Sequence, residues 1–482
     1  MSEPYPSEPD WWLSYFRPQV VERYDAAGVP LDDRYLIWGT RTAYDIAAGM
    51  TKEASAERHL AELDVALGLA HPPAEPTHPD PIRGRLRIAN GLYVDDSGPV
   101  LPTLCHFGEA FSAYIRRPDD ARRQLEAIAR AGYQGIRFWD VLGYHDQAWA
   151  GKEVTPTSFR NKSGQMVPAT PAYYDQLTDF LRLCQSLQLG VHHSRGDLNS
   201  LPFNDVRTHC QVVGAVQRNV GASVVLLNES CNESWQNGVS EPSRLAEMAS
   251  ALGGHAIQAL SCLEGATEVK EDLDAYSIDP ADVFYVHGFR QNRSLDRIRH
   301  IFTIAYEAKP NRRLGWQGEP AGPGDGVTVG QENHPEALAL MCAMSLLSRQ
   351  AWVYMSSPGV FWDGPIEAQP GFHAVAQVKT WLPKDLMRPA TLCHGGASWA
   401  GTRVLVANAE GTLRCDHAMF PDGQVAIIVY GEPGTWTIPV ERAVDGRVID
   451  PLTGVAHPVS LRPGQLWPVT FARGRVLLGR LA

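Results

Sequence analysis

Between residues 101 and 356 the chain repeats one pattern: short apolar runs alternating with segments long enough for a helix. Eight such runs can be counted, at 101–107, 135–142, 190–194, 223–232, 255–262, 282–287, 313–318 and 351–356. Runs that are apolar throughout, rather than at every second residue, belong to strands buried on both faces. That is the condition inside a parallel sheet covered by helices. Eight units over about 280 residues is the size of a closed (β/α)8 barrel. An open, doubly wound sheet is the rival arrangement. It would usually bring a glycine-rich phosphate turn after its first strand, and His106-Phe107-Gly108-Glu109 is not one.

The intervening segments support this α/β reading. Leu177, Phe180, Leu181, Cys184 and Leu187 recur at helical spacing behind Thr170-Pro171. Leu295, Ile298, Phe302 and Ala305 do so behind Ser294, and Leu338, Met341, Cys342 and Ser345 behind Pro335. Segment 242–252 stops at Gly253-Gly254. Segment 267–277 is charged and reads as a short helix or a loop.

The flanks differ in character. Residues 1–82 read as a helical N-terminal segment with an alanine-rich run at 52–68, followed by a stiff proline-rich linker at 71–81. Residues 83–385 form the expected barrel domain, entered through a hairpin made from 86–88 and 91–94. Residues 386–482 hold short β runs separated by Asp422-Gly423, Pro433-Gly434 and Pro463-Gly464, the pattern of an antiparallel β-sandwich. The expected fold is therefore a (β/α)8 TIM barrel with a helical N-terminal segment and a C-terminal antiparallel β-sandwich. Bracing the barrel is the simplest role for the sandwich.

Charge and composition narrow the function classes. A formal net charge of -11 argues against nucleic acid as a partner. No run of about 18 apolar residues is present, so no membrane partner is expected, and Met1-Ser2-Glu3-Pro4 does not open a secretory signal. The eight cysteines are scattered without a CxxC pair, the usage of a reducing compartment; a cytoplasmic protein is expected, with release by lysis or inside a virion left open. An oligomer is compatible with all of this.

In a parallel barrel the reactive groups stand at the carboxyl ends of the strands. Here those ends read Arg137-Phe138-Trp139-Asp140, His192-His193-Ser194-Arg195, Glu229-Ser230-Cys231-Asn232-Glu233, His287, and Gly315-Trp316-Gln317-Gly318-Glu319. Two carboxyl groups about 5 Å apart, one protonated and one ionised, are what glycoside cleavage with retention requires. Strands four and seven of a barrel face each other across its mouth and would bring Glu233 and Glu319 together. No cofactor is called for. A metal site of the amidohydrolase kind wants His-x-His on the first strand, where the chain offers only His106.

The run Glu229–Glu233 resembles the E-x-x-N-E ending of the fourth strand in clan A glycoside hydrolases, the cellulase- and mannanase-like superfamily. The resemblance covers roughly residues 84–385. It implies a retaining hydrolase of β-glycosidic bonds acting on an oligo- or polysaccharide, with Glu233 as acid/base and Glu319 as nucleophile. By the same likeness Asn232 would bond the sugar 2-hydroxyl, Arg137 would sit beside the nucleophile and His287 would line the cleft. Gly288-Phe289 stands where relatives often carry a tyrosine that bonds the nucleophile; Tyr285 could face inward instead. Glu229 is a second candidate for the acid; measured from Ser223 it lies mid-strand, and Glu233 reaches the rim. His193 is a candidate wall of the cleft, and Trp139, Trp316 and Trp362, with Trp149 and Trp235, are candidate stacking surfaces for sugar rings. The alternative reading is a non-catalytic carbohydrate-binding or structural barrel within a larger assembly such as a phage virion.

Overall fold

The computed structural model describes residues 16–27, 51–66, 78–140, 159–160, 166–167, 173–196, 203–221, 223–234, 239, 241–261, 276, 278–287, 314–319, 334–355, 365–393, 404–406 and 412–482. The chain divides into two compact units, Met1–Glu75 and Pro76–Ala482. The first holds helices Arg17–Ala26 and Lys52–Ala66, joined by an Arg23–Asp64 ion pair of 2.7 Å.

In the second unit, eight strands form one parallel sheet: β1 (Thr103–His106), β2 (Gly135–Trp139), β3 (Gly190–Ser194), β4 (Val225–Glu229), β5 (Ile257–Ala259), β6 (Val283–His287), β7 (Leu314–Glu319) and β8 (Gln350–Tyr354). Each falls within or next to one of the eight apolar runs. Their order is β5-β4-β3-β2-β1-β8-β7-β6, with every neighbouring pair parallel. The remaining seam, β5 to β6, is bridged through Asp282. Its amide donates to Gln258 O, and its carboxylate accepts from Gln258 N, both at 2.9 Å. The barrel is thus nearly closed.

Among the described residues the outer layer comprises α1 (Ala110–Arg116), α2 (Pro118–Ala131), α3 (Tyr173–Ser186), α4 (Phe203–Val220), α5 (Pro242–Leu252), α6 (Pro335–Leu347) and α7 (Phe372–Trp381). Proline opens α2, α5 and α6, where a missing N–H costs nothing, and α2 stops at Gly132 in the left-handed conformation. The predicted segment 242–252 is α5. The helical pattern at 295–305 lies outside the described residues, as does 267–277 apart from Tyr276.

Below the barrel, strands Arg87–Ala89, Leu92–Asp95 and Gly98–Pro99 make the expected hairpin and add a third strand. Its turn carries Asn90 and Gly91 at φ 52° and 67°, the left-handed pair of a tight hairpin. The compact unit starts before residue 83 because 78–80 are tied down. Asp80 bonds Lys379 at 3.1 Å and Gln134 at 3.1 Å, and the His78 ring meets Tyr133 O at 2.5 Å.

The C-terminal strands are β9 (Thr391–Cys393), β10 (Leu413–Met419), β11 (Gln424–Gly431), β12 (Gly434–Pro439), β13 (Val444–Ile449), β14 (Ala456–Leu461), β15 (Leu466–Phe471) and β16 (Gly474–Leu481). Six pair antiparallel in the order β9-β10-β11-β16-β13-β14, and β12 pairs with β15 in a second sheet. Alternation sorts their side chains into two cores. Val425, Ile427, Val429 and Leu477 pack with Ile438, Trp467 and Phe471 between the two sheets. Ala426, Ile428, Tyr430, Val476 and Leu478 face the other way and join the barrel core. Glu336 of α6 adds a polar tie, taking the Arg475 guanidinium and the Arg473 amide. The sandwich therefore braces the barrel through a shared core.

Candidate active site

The carboxyl ends of the strands carry a buried polar cluster centred on Arg137. Inward and outward positions alternate along a strand, so Arg137 on β2 points into the barrel while Phe138 points toward the helices. All four terminal N–H groups of the guanidinium find acceptors. Nη1 donates to Glu319 Oε1 at 2.6 Å and to His106 Nδ1 at 3.2 Å; Nη2 donates to Glu229 Oε2 at 3.0 Å and to Asn232 Oδ1 at 2.5 Å. A guanidinium presents its donors in a rigid fork, which is why one arginine can fix four neighbours. Burial works against its charge, yet Tyr285, Glu229 and Glu319 outweigh that and hold its pKa well above the ordinary value.

Glu229 ends β4 and has no solvent exposure. Its Oε2 also accepts from Tyr285 Oη at 3.0 Å and lies 3.2 Å from His192 Nε2. Burial alone would favour the neutral acid, but Arg137 and His192 hold this carboxyl well below the usual range. The two inward histidines are neutral: burial pushes His192 down to about 3, and burial with Arg137 pushes His106 well below its usual value.

Glu233 lies in the turn after β4, where Ser230 and Cys231 amides still donate to Ala259 O and Leu260 O of the neighbouring chain segment. It holds φ at 40°, the left-handed region that a non-glycine residue occupies at a cost of about 1–3 kcal/mol, a cost met most often at functional sites. Its side chain keeps 12% exposure where Glu319 keeps 4% and Glu229 none. His287 Nδ1 is 3.0 Å from Glu233 Oε1 and 3.7 Å from Glu319 Oε2. One carboxylate oxygen of Glu233, one of Glu319 and a ring nitrogen of His287 all lie within 4.8 Å of one another. This is also the set that could hold a cation.

Glu319 reaches the interior because of an irregularity. Val286 pairs with Gln317 but His287 with Glu319, so Gly318 is skipped in the ladder. Without that extra residue Trp316 and Glu319 would point to opposite faces. A Cβ on Gly318 would fall 1.7 Å from Tyr285 Oη, so only glycine leaves space for the tyrosine beside the bulge.

The structure corrects two expected roles. Trp316 is fully buried one layer below Glu319, edge-on to Tyr93 and His192 at 5.7 Å each, so it packs the barrel interior and offers no face to a sugar. His193 points outward, because it follows the inward His192 by one residue. Its ring stacks on Phe138 at 4.5 Å, and its nitrogens meet Asp140 Oδ2 at 2.9 Å and Gln217 Nε2 at 2.8 Å, so it belongs to the strand–helix interface and not to the cleft wall. Glu229 is the last strand residue rather than a mid-strand one. Trp139 remains at the site, edge-on to His106 at 5.2 Å with the Arg137 guanidinium 5.7 Å from its ring centre. Trp362, Trp149 and Trp235 lie outside the described residues. Sequence reasoning assigned no role to His106, and its position at the end of the first run was the available signal.

No family model matches the chain, and no curated protein matches it by sequence. Solved structures do match. A glycoside hydrolase superposes with a TM-score of 0.57 at 10% identity, covering 82% of this chain and 97% of its own. A family 5 glycoside hydrolase from Bacteroides vulgatus superposes with a TM-score of 0.59 at 9% identity, covering 82% of this chain and 94% of its own. The likeness is one of architecture, spans most of the chain, and gives this protein the fold of glycoside hydrolases.

Proposed function

We propose that the protein is a retaining glycoside hydrolase that cleaves β-glycosidic bonds of an oligo- or polysaccharide, with Glu319 as nucleophile and Glu233 as acid/base. The observation that carries this reading is the approach of the two carboxyl groups to within 4.8 Å at the mouth of the barrel. That is close to the roughly 5 Å spacing of retaining enzymes and too short to seat the water that inversion needs.

The environments suit different roles. Glu319 is tied to Arg137 at 2.6 Å, which favours an ionised carboxylate ready to attack the anomeric carbon. Glu233 is the more exposed of the two, which suits delivery of a proton to the departing oxygen. Arg137 faces two carboxylates, Glu229 and Glu319, so the pocket floor carries excess negative charge. That excess favours a transition state with positive charge on the sugar ring. Asn232 accepts from Arg137 through Oδ1, which fixes its side chain beside the two carboxylates, where the resemblance places the residue that bonds the sugar 2-hydroxyl.

The test is a panel of dinitrophenyl β-glycosides together with the matching fluorosugar inactivators. Turnover, and peptide mapping that finds one glycosyl group on Glu319, are expected. Labelling elsewhere would reassign the nucleophile. Failure of every β-glycoside to turn over or label would leave the non-catalytic carbohydrate-binding module as the better reading.

A further inference from the structure

Tyr285 makes contacts that the reaction scheme above does not use. Its hydroxyl lies 3.0 Å from Glu229 Oε2 and 3.4 Å from His287 Nε2, and the opposite ring nitrogen of His287 lies 3.0 Å from Glu233 Oε1. The proton positions along this line follow from counting donors. Arg137 Nη2 makes its short bonds to Glu229 and Asn232 and reaches His287 Nε2 only at 3.5 Å, the longest of these three contacts, so its hydrogens are held chiefly by the two oxygens. Glu229 is ionised and is the stronger acceptor, so the single Tyr285 hydrogen goes to it. The tyrosine oxygen then accepts, and His287 Nε2 is the N–H that faces it. His287 Nδ1 is left as the acceptor facing Glu233.

We infer that Glu229, Tyr285 and His287 form a buried hydrogen-bond relay that ends on the acid/base Glu233, with Tyr285 as its positioning residue. The inference rests on the proposed role of Glu233. The proton shared between Glu233 Oε1 and His287 Nδ1 is the one the reaction consumes. As Glu319 bonds to the anomeric carbon, the bond to the leaving oxygen breaks, and that oxygen keeps the electron pair and takes the proton. Glu233 is left ionised and His287 neutral. Water then attacks the anomeric carbon, displaces Glu319 and returns a proton to the pair. The charged and titratable groups around the relay are Arg137 from β2, His106 from β1, His192 from β3, Glu229 from β4, Glu233 beyond it and Glu319 from β7. Gly318 makes the device possible, since a side chain there would displace the tyrosine hydroxyl.

The chain has Phe289 at the position where the resemblance leads one to look for a tyrosine hydroxyl, and Tyr285 supplies one from inside the barrel.

Tyr285→Phe keeps the ring and removes the relay. Acid help matters most for poor leaving groups, so the variant should lose on the order of 10²-fold in kcat/KM on alkyl β-glycosides. It should stay within a fewfold of the parent on dinitrophenyl β-glycosides, whose leaving group departs unaided. An equal loss on both substrates, or no loss on either, would overturn the relay. Labelled-nitrogen NMR of the parent protein reads the same point without a variant: His287 Nε2 should carry the proton in the resting state, and a proton fixed on Nδ1 would overturn the assignment. A Glu319 that takes no fluorosugar label would instead remove the hydrolase reading itself, so the two failures are distinguishable.

Discussion

Two histidines side by side on β3 do opposite things. His192 points into the barrel and lies 3.2 Å from the carboxylate of Glu229; His193 points out and lies 2.9 Å from the carboxylate of Asp140. Both pairs are fully buried, and both carboxylates are held well below the usual range despite burial, one by Arg137 and His192, the other by His193, His209 and Arg195. Chemically the clusters are near twins. What separates them is the face of the strand. The inner cluster touches Glu319 through Arg137, whereas the outer one stitches β2, β3 and β4 to α4 through His209 and Gln217. A buried acid–histidine pair is therefore not by itself a sign of catalysis; its position on the pleat decides.

The comparison breaks most sharply at Arg137. Arg137→Met leaves Glu229 and Glu319 buried without their cation, and should cost about 3–5 kcal/mol of stability, with activity lost as well. Urea unfolding read beside turnover checks both halves, and an active, fully stable variant would sink the inner cluster's assignment. Removing the outer carboxylate should separate the two effects. Asp140→Ala leaves His193 and His209 without their shared acceptor and Arg195 without its ion-pair partner, and should cost about 2–3 kcal/mol. The kcat of the folded fraction should change less than about twofold, since no transition-state contact is touched.

The smallest effect is in pH. Burial lowers His193 to about 4 and His192 to about 3, so the unfolded chain binds more protons than the folded one below the ordinary histidine value. The stability these rings contribute is complete above about pH 6.5 and declines as the pH falls through that window, by up to about 1.4 kcal/mol per unit for each ring. The carboxylates of Glu229 and Asp140, also lowered, add their own loss only below about pH 4. His193→Gln should flatten the slope of stability between pH 6 and 4 by roughly one proton's worth, leaving the activity profile of the folded protein in place. A slope unchanged by the substitution would mean that the outer ring does not titrate on unfolding.

Much of the architecture was legible in the residues. Eight short, mostly apolar runs become eight buried strands because burial on both faces removes the usual alternation, the pattern of a covered parallel sheet. Pro335, Pro242 and Gly253 mark helix ends through local geometry alone. The meeting of Glu233 with Glu319 was foreseeable once a barrel was assumed, since closure puts β4 and β7 across one mouth.

Facing, however, is settled by register and by the space that neighbours leave. Nothing in Gly315-Trp316-Gln317-Gly318-Glu319 announces that a skipped glycine turns both Trp316 and Glu319 inward, one as packing and the other toward the cleft. Nor do His192 and His193 carry any mark of which one the pleat will turn inside. Residue types and their spacing obey local chain geometry, and so the sequence determined the elements and the chemistry available. Which groups meet depends on contacts between strands distant in the chain, and only the closed barrel decided that.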